Sequence, residues 1–386
     1  MLKNNRTFLI IYSFAFLWTL SGSLTTYIQS SFLEQFVSVQ MVGVYTGIAT
    51  LSTLIVIFFF SSIIKKFSNY WVTVWLMVFL IVSVLALSFL HGPLLILFFF
   101  VLNFLSWNLI SVTVDVFLTN ISDTKKTGVI RTTFFTIVNI AWLISPFLMG
   151  VIANGDRYSL VYLSTITVLV PAFVLLMFSR KSLRDHTKYE SRHLHQLLSV
   201  FKDNKNFAKI FQVTFILRFF YYMMVVYMPI YLHSNIGFDW EQIGAIFTIM
   251  LIPFVIFEMP AGQLADKYLG EKEILVLGLI IMVSSTGAIF FIQSASFLVW
   301  SAILFMTRVG ASLVDAMQDV YFFKLVNKHD MDLINLFRDL RPAAWLTSSV
   351  LAVVILQFFT VEYLFLFTAI IILLAVRPAM TIKDTK

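Results

Sequence analysis

The sequence predicts an all-α polytopic membrane protein of about twelve transmembrane helices in two pseudo-symmetric six-helix bundles. Three observations predict it. First, 60% of the 386 residues are hydrophobic and only 12% are charged, whereas soluble domains have about half apolar and a quarter charged. Second, about twelve apolar runs are each long enough to cross a bilayer as a helix. Third, one long polar break falls near the middle. Span starts on its two sides correspond at a spacing of roughly 200 residues, the mark of parallel six-helix halves.

In chain order the runs are 7–33, 41–64, 71–90, 94–118, 129–152 and 159–179, then 208–232, 242–264, 274–293, 297–323, 333–357 and 361–377. They must be helical, because lipid offers no partner for a free backbone group. A closed barrel requires short alternating strands, and the chain has none of that pattern. Lys3 and Arg6 precede the first run as in a secretory leader, but the run is long and other spans follow. It is therefore read as a retained first helix. Pro146, Pro253 and Pro342 fall inside runs, where a missing N–H kinks a helix. The abundant Phe is expected mostly on lipid-facing surfaces.

The break divides the chain into an N-terminal bundle over 1–180, a central loop over 181–207 and a C-terminal bundle over 208–386. Within the loop, Leu194, Leu197, Leu198 and Phe201 share one helical face, with His193, Lys202 and Lys205 elsewhere. That pattern suits an amphipathic helix on the membrane surface and equally a solvated linker.

Loop charges predict the orientation. Lys3/Arg6, Lys65/Lys66, Lys125/Lys126, the 180–209 segment, Lys267/Lys272, Lys324/Lys328 and Arg377/Lys383/Lys386 all fall on one side, whereas the opposite loops carry essentially Arg157. By the positive-inside rule both termini are cytoplasmic. The reading is a multi-pass integral protein of the plasma (inner) membrane. The net charge of +7 is accounted for by these loops, so nucleic acid is not an expected partner.

One stretch carries more than topology. An apolar run ends in Glu258-Met259-Pro260-Ala261-Gly262, followed by Leu264-Ala265-Asp266-Lys267 and a turn with Gly270, Glu271 and Lys272. Gly262 is expected to let two helix backbones approach. Asp266 suits the N-terminus of a neighbouring helix, and Lys267 and Lys272 suit the anionic headgroup region. The spacing of Gly262, Asp266, Lys267, Gly270 and Lys272, with the lead-in Glu258, Pro260 and Gly262, resembles the loop signature of the major facilitator superfamily. The resemblance covers the whole chain. It implies a secondary transporter working by alternating access, with this loop as a gate. It also implies that the first, fourth, seventh and tenth helices line a central cavity. The first-half copy departs from the pattern, with Ser61 for the Gly and Lys65 for the Asp. The family's fourth-span Arg motif is missing; Asn103 and Phe104 stand in that region.

Charges inside spans cost a few kcal/mol each and so require a role. Arg308, Ser312, Asp315 and Asp319 recur at i, i+4, i+7 and i+11 and share one stripe of the tenth span. Arg218 lies in the seventh span with Tyr221 and Tyr222 one turn on. Thr19, Ser23, Thr26 and Ser30 give the first span a polar face, and Asn139 and Trp142 stand in the fifth. Asn108, Ser111 and Asp115 in the fourth span match Ser312, Asp315 and Asp319 in the tenth. The candidate cavity residues are thus Arg218, Tyr222, Arg308, Ser312, Asp315, Asn108, Asn139 and Trp142. Asp115 with Arg131, and Asp319 with Arg338, are expected to pair across short loops. Arg308 and Arg218 favour an anionic substrate or the polar head of an amphipathic one. The rival is a structural network pairing Arg308 with Asp315 and Arg218 with Glu258.

Other classes are disfavoured. Cys is absent, and the six His residues are scattered; neither a metal site nor a nucleophile–base cluster is expected. No GxxxxGK[ST] loop occurs, so no cofactor or bound nucleotide is expected. A coupling proton or sodium ion is expected, with Asp315 the first carboxylate to carry a proton and Glu258 the second. The chain is expected to act as a monomer. The alternatives are a polytopic membrane enzyme and a non-transporting receptor or scaffold that keeps the fold.

Overall fold

A computed structural model of the protein describes residues 2–121, 127–183, 205–265, 270–325 and 331–383. Side chains are described there except at 2–6, 121, 127–129, 132, 331–336, 338 and 339. The amphipathic stretch 194–201, Asp266 and Lys267 lie outside the described residues.

The chain is helical throughout the described residues. In the first half α1 spans Leu2–Thr26, α2 Gln29–Glu34, α3 Val39–Phe67, α4 Asn69–Phe89, α5 Pro93–Ile121, α6 Thr127–Ala153 and α7 Tyr158–Phe178. In the second half α8 spans Lys205–Ile230 and runs on into a π-helical turn at Tyr231–Ile236. Then come α9 Trp240–Leu264, α10 Glu271–Ile289, α11 Phe297–Leu325, α12 Met331–Leu356 and α13 Val361–Thr381. Among the described residues eleven helices are long and apolar enough to span a bilayer, and Leu340–Leu356 of α12 is a shorter apolar stretch.

The first predicted span, 7–33, is broken. Helix α1 stops at Thr26, and the chain turns before α2. Near the stop, Ser23 Oγ donates to Leu20 O, and Thr25 and Thr26 Oγ1 both donate to Gly22 O. Hydroxyls that bond carbonyls of their own helix compete with its ladder, so this serine- and threonine-rich stretch is a weak place to continue it.

The chain divides into two compact units: Met1–Ser191 with Asp239–Gly244, and Arg192–Phe238 with Ala245–Lys386. In the first unit α1 packs on α6 and α7, α4 on α5 and α7, and α3 on α5. The turn Asp239–Gly244 belongs to this unit. There Trp240 Nε1 donates to Asp156 Oδ1 at 3.0 Å, and a Cβ on Gly150 would meet Gly244 Cα at 2.9 Å. In the second unit α10 packs on α11 and α13, and α8 packs on α11, α12 and α13. The closest helix approach there is at Gly278 and Gly310. A Cβ on Gly310 would meet Gly278 O at 2.6 Å, so small residues let these backbones touch.

One expectation is corrected. A Cβ on Gly262 would meet nothing within 4 Å among the described residues. Among the described residues no helix approaches Gly262, and close approach is made by Gly278 and Gly310. Phe serves both faces: Phe58, Phe59, Phe98 and Phe178 are exposed, whereas Phe322 stacks on Phe337 at 3.9 Å, and Phe207, Phe211 and Phe220 are buried on α8. Interior faces of helix bundles need bulk as much as lipid-facing ones do.

Candidate functional site

The ionic centre of the second unit is built on α8, α11 and α12. Asp315 on α11 is its hub. Arg218 Nη2 on α8 lies 3.2 Å from Asp315 Oδ1, and both side chains are about a quarter exposed. Tyr221 Oη donates to Asp315 Oδ2 at 3.2 Å, and Gln318 Nε2 donates to Asp315 Oδ1. Three donors thus converge on the two oxygens of one carboxylate. Helical geometry explains the convergence. Asp315 lies ten residues from the Leu325 end of α11, and Arg218 thirteen from the Lys205 end of α8, or about 15 and 20 Å of rise.

The stripe on α11 grades from buried to exposed. Arg308 is 2% exposed and Ser312 fully buried, whereas Asp315 is partly and Asp319 well exposed. Arg308 does not form an ion pair with Asp315. Its guanidinium lies over the rings of Phe220 and Tyr221, at 5.2 and 5.5 Å from their centroids, where aromatic faces attract a cation. Ser312 Oγ donates to Val309 O of its own helix. Tyr222 is fully buried and meets Trp345 of α12 edge-on at 5.4 Å. The pairing of the rival network is therefore exchanged: Arg218 takes Asp315, and Glu258 is half-buried on α9 within electrostatic reach of Asp315 and Asp319.

The first unit holds a different centre. Trp18 of α1 stacks on Trp107 of α5 at 5.1 Å, and Trp107 meets Trp142 of α6 edge-on at 6.3 Å. Tyr27 meets Trp142 edge-on at 6.4 Å. Trp107 is seated on Gly22: a Cβ there would fall 1.7 Å from its Nε1. The indole N–H groups of Trp18 and Trp107 have no hydrogen-bond partner among the described residues. Asn108 Nδ2 donates to Phe104 O and Ser111 Oγ to Asn108 O, so both are spent on their own helix. Asn139 is exposed on α6. Asp115 and Arg131 do meet, at 3.6 Å, with Arg131 also donating to Thr119 Oγ1. The matching Asp319–Arg338 pair involves a side chain outside the described residues.

Around the loop signature, Pro260 is exposed, Lys272 half-buried, and Gly270 adopts φ +90°, which favours glycine. Sequence reasoning did not single out its neighbour Glu271. That carboxylate is 1% exposed at the start of α10 and forms an ion pair with Lys324 at the end of α11. Each charge sits at the helix terminus whose dipole favours it. Trp18, Trp107, Gln318 and Arg341 were also passed over. Arg341 had a signal, being an arginine inside a predicted span.

The whole-chain arrangement agrees with the sequence pattern. The model of the Major Facilitator Superfamily matches residues 7–340 and, again, 210–383. The chain belongs to this superfamily. It is thus a membrane transporter by family, with the all-helical fold expected of one. Solved structures share that fold at low sequence identity. The nucleoside transporter NupG is 12% identical, with a TM-score of 0.76 and 97% and 98% of the two chains covered. A bacterial homologue of the iron transporter ferroportin in an inward-facing state is 15% identical, with a TM-score of 0.75 and the same coverage. A bacterial homologue of the human lysosomal transporter Spinster, inward-facing and occupied, is 10% identical, with a TM-score of 0.72 over 97% and 96%. No curated protein sequence matches the chain.

Proposed function

We propose that the protein is a proton- or ion-coupled secondary transporter that moves a small anionic or amphipathic molecule by alternating access, its site being open to one side of the membrane at a time. The observation that carries this reading is the Asp315 centre: a carboxylate well inside the bundle, held by Arg218, Tyr221 and Gln318 and partly reached by solvent. A group that exchanges partners when a proton or a substrate anion arrives is what coupling requires. Arg218 stays charged under all conditions, so protonating Asp315 would free it to bind an anion. The loop from Glu258 to Lys272 is the proposed gate between states, with the ion pair of buried Glu271 and exposed Lys324 anchoring its end on α11. The basic loops support cytoplasmic termini in the plasma membrane, and the monomer is proposed to be the working unit.

The test is flux in liposomes containing the purified chain, with a panel of small organic anions and with or without an imposed proton or sodium gradient. Gradient-driven uptake that Asp315→Asn uncouples is the expected result. Flux indifferent to both gradients would make the protein a facilitator, and absence of flux for the whole panel would favour a receptor.

A further inference from the structure

Arg341 is exposed, yet it lies on the inward face of α12. At about 100° per residue, Ala344, Trp345, Ser348 and Ala352 share its side of the helix, and all but half-buried Trp345 are buried. The lipid-type face is marked by the exposed Val350 and Val354. Val350, nine residues on, is about half a turn away. An arginine facing lipid near the start of the apolar stretch would be costly. Exposure on the packed side instead means that water reaches into the second unit at this point.

The depth agrees. Arg341 lies ten residues into α12, and Asp315 ten residues from the end of α11, or about 15 Å of rise in each case. The charges of Arg218 and Asp315 both act on Arg341. The three arginines are nevertheless in different states. Arg218 is ion-paired with Asp315, and Arg308 is buried against two aromatic faces. Arg341 makes no ion pair with a carboxylate among the described residues. Its guanidinium lies 5.2 Å from the ring centroid of Trp345, one turn on along its own helix. Trp345 is in turn braced by Tyr222. Stacking on an indole holds the plane of a guanidinium while leaving its N–H edge free to bond.

We infer that Arg341, steadied by Trp345, is the residue that binds the ligand anion in the second unit. Its ligand is an oxyanion, a carboxylate or phosphate, gripped by the planar fork. The inference rests on the anionic-substrate reading above but moves the first anion contact from Arg218 and Arg308 to Arg341.

The test is modification of arginines by phenylglyoxal in the purified full chain in detergent, read by peptide mass spectrometry. Benzoate, succinate and inorganic phosphate serve as separate probes. Arg341 is expected to react faster than Arg218 and Arg308. A saturating probe that binds there should slow Arg341 by about threefold or more, and the effective arm tells carboxylate from phosphate. Protection of Arg218 or Arg308 without Arg341 overturns the assignment and leaves the anionic reading standing. Protection of none of the three overturns both. In flux assays Arg341→Lys should retain part of the anion selectivity and Arg341→Gln should lose it. Unchanged selectivity in Arg341→Gln, with wild-type flux intact, also overturns the assignment while sparing the transporter reading.

Discussion

The two units repeat one helical plan but fill its middle with different chemistry. In the second, α11 presents Asp315 to Arg218, Tyr221 and Gln318. In the first, the corresponding position on α5 is Ser111, which bonds its own helix, and one turn earlier on α5 Trp107 gathers Trp18 and Trp142. A carboxylate on the same helix, Asp115, lies nearer the helix end in a partly exposed pair with Arg131. Backbone packing tolerates either filling, because helices satisfy their own hydrogen bonds in lipid. What changes is responsiveness. An ion-paired carboxylate can exchange partners with a proton or an anion, whereas stacked indoles offer shape and a π-face. The two units therefore differ at their centres: one holds an ion-paired carboxylate and the other a ring cluster.

The sharpest way to break this contrast is to neutralise one carboxylate in each unit. Asp315→Asn leaves Arg218 without its charge partner well inside the bundle and should destabilise by about 2–3 kcal/mol. Asp115→Asn should cost less than about 1 kcal/mol, since its pair is solvated. Thermal unfolding of the purified variants measures both. Equal losses would mean that the two pairs have the same weight and that the contrast is wrong.

Next come the glycine seats. Gly310→Ala forces a methyl against the backbone oxygen of Gly278 and should cost about 2 kcal/mol, because two helices must part. Gly22→Ala meets the ring of Trp107 instead and should cost about 1 kcal/mol as the ring tilts. The second substitution alone should shift tryptophan fluorescence. A silent spectrum in Gly22→Ala would show that Trp107 does not rest there.

The smallest effects come from single contacts. Trp142→Leu removes two edge-on ring contacts and should cost about 1 kcal/mol of stability, with little change in gradient dependence of flux. Tyr221→Phe removes one hydrogen bond to Asp315 and should cost about 1 kcal/mol or less, yet move the pH profile of flux. If Trp142→Leu moves that profile and Tyr221→Phe does not, the contrast between the two centres is reversed.

The sequence by itself determined the helices, their number to within one broken span, and the family. Those features rest on hydropathy and on local residue order, which a linear reading contains. It also placed charges at Arg218, Arg308 and Asp315, because any ionisable residue in a span is conspicuous. It read Asp115 with Arg131 as partners because both stand close to one loop. Only tertiary structure decided who pairs with whom at depth. Arg308 and Asp315 share a stripe of one helix but lie seven residues, about two turns, apart, and α8 supplies the nearer cation. Gly262 looked like a packing glycine from its motif, but close approach depends on which neighbour is there, and Gly278 and Gly310 meet that condition. Glu271, Trp18 and Arg341 carry no linear signal of their partners. Their roles arise where separate helices converge, and three-dimensional packing sets that convergence.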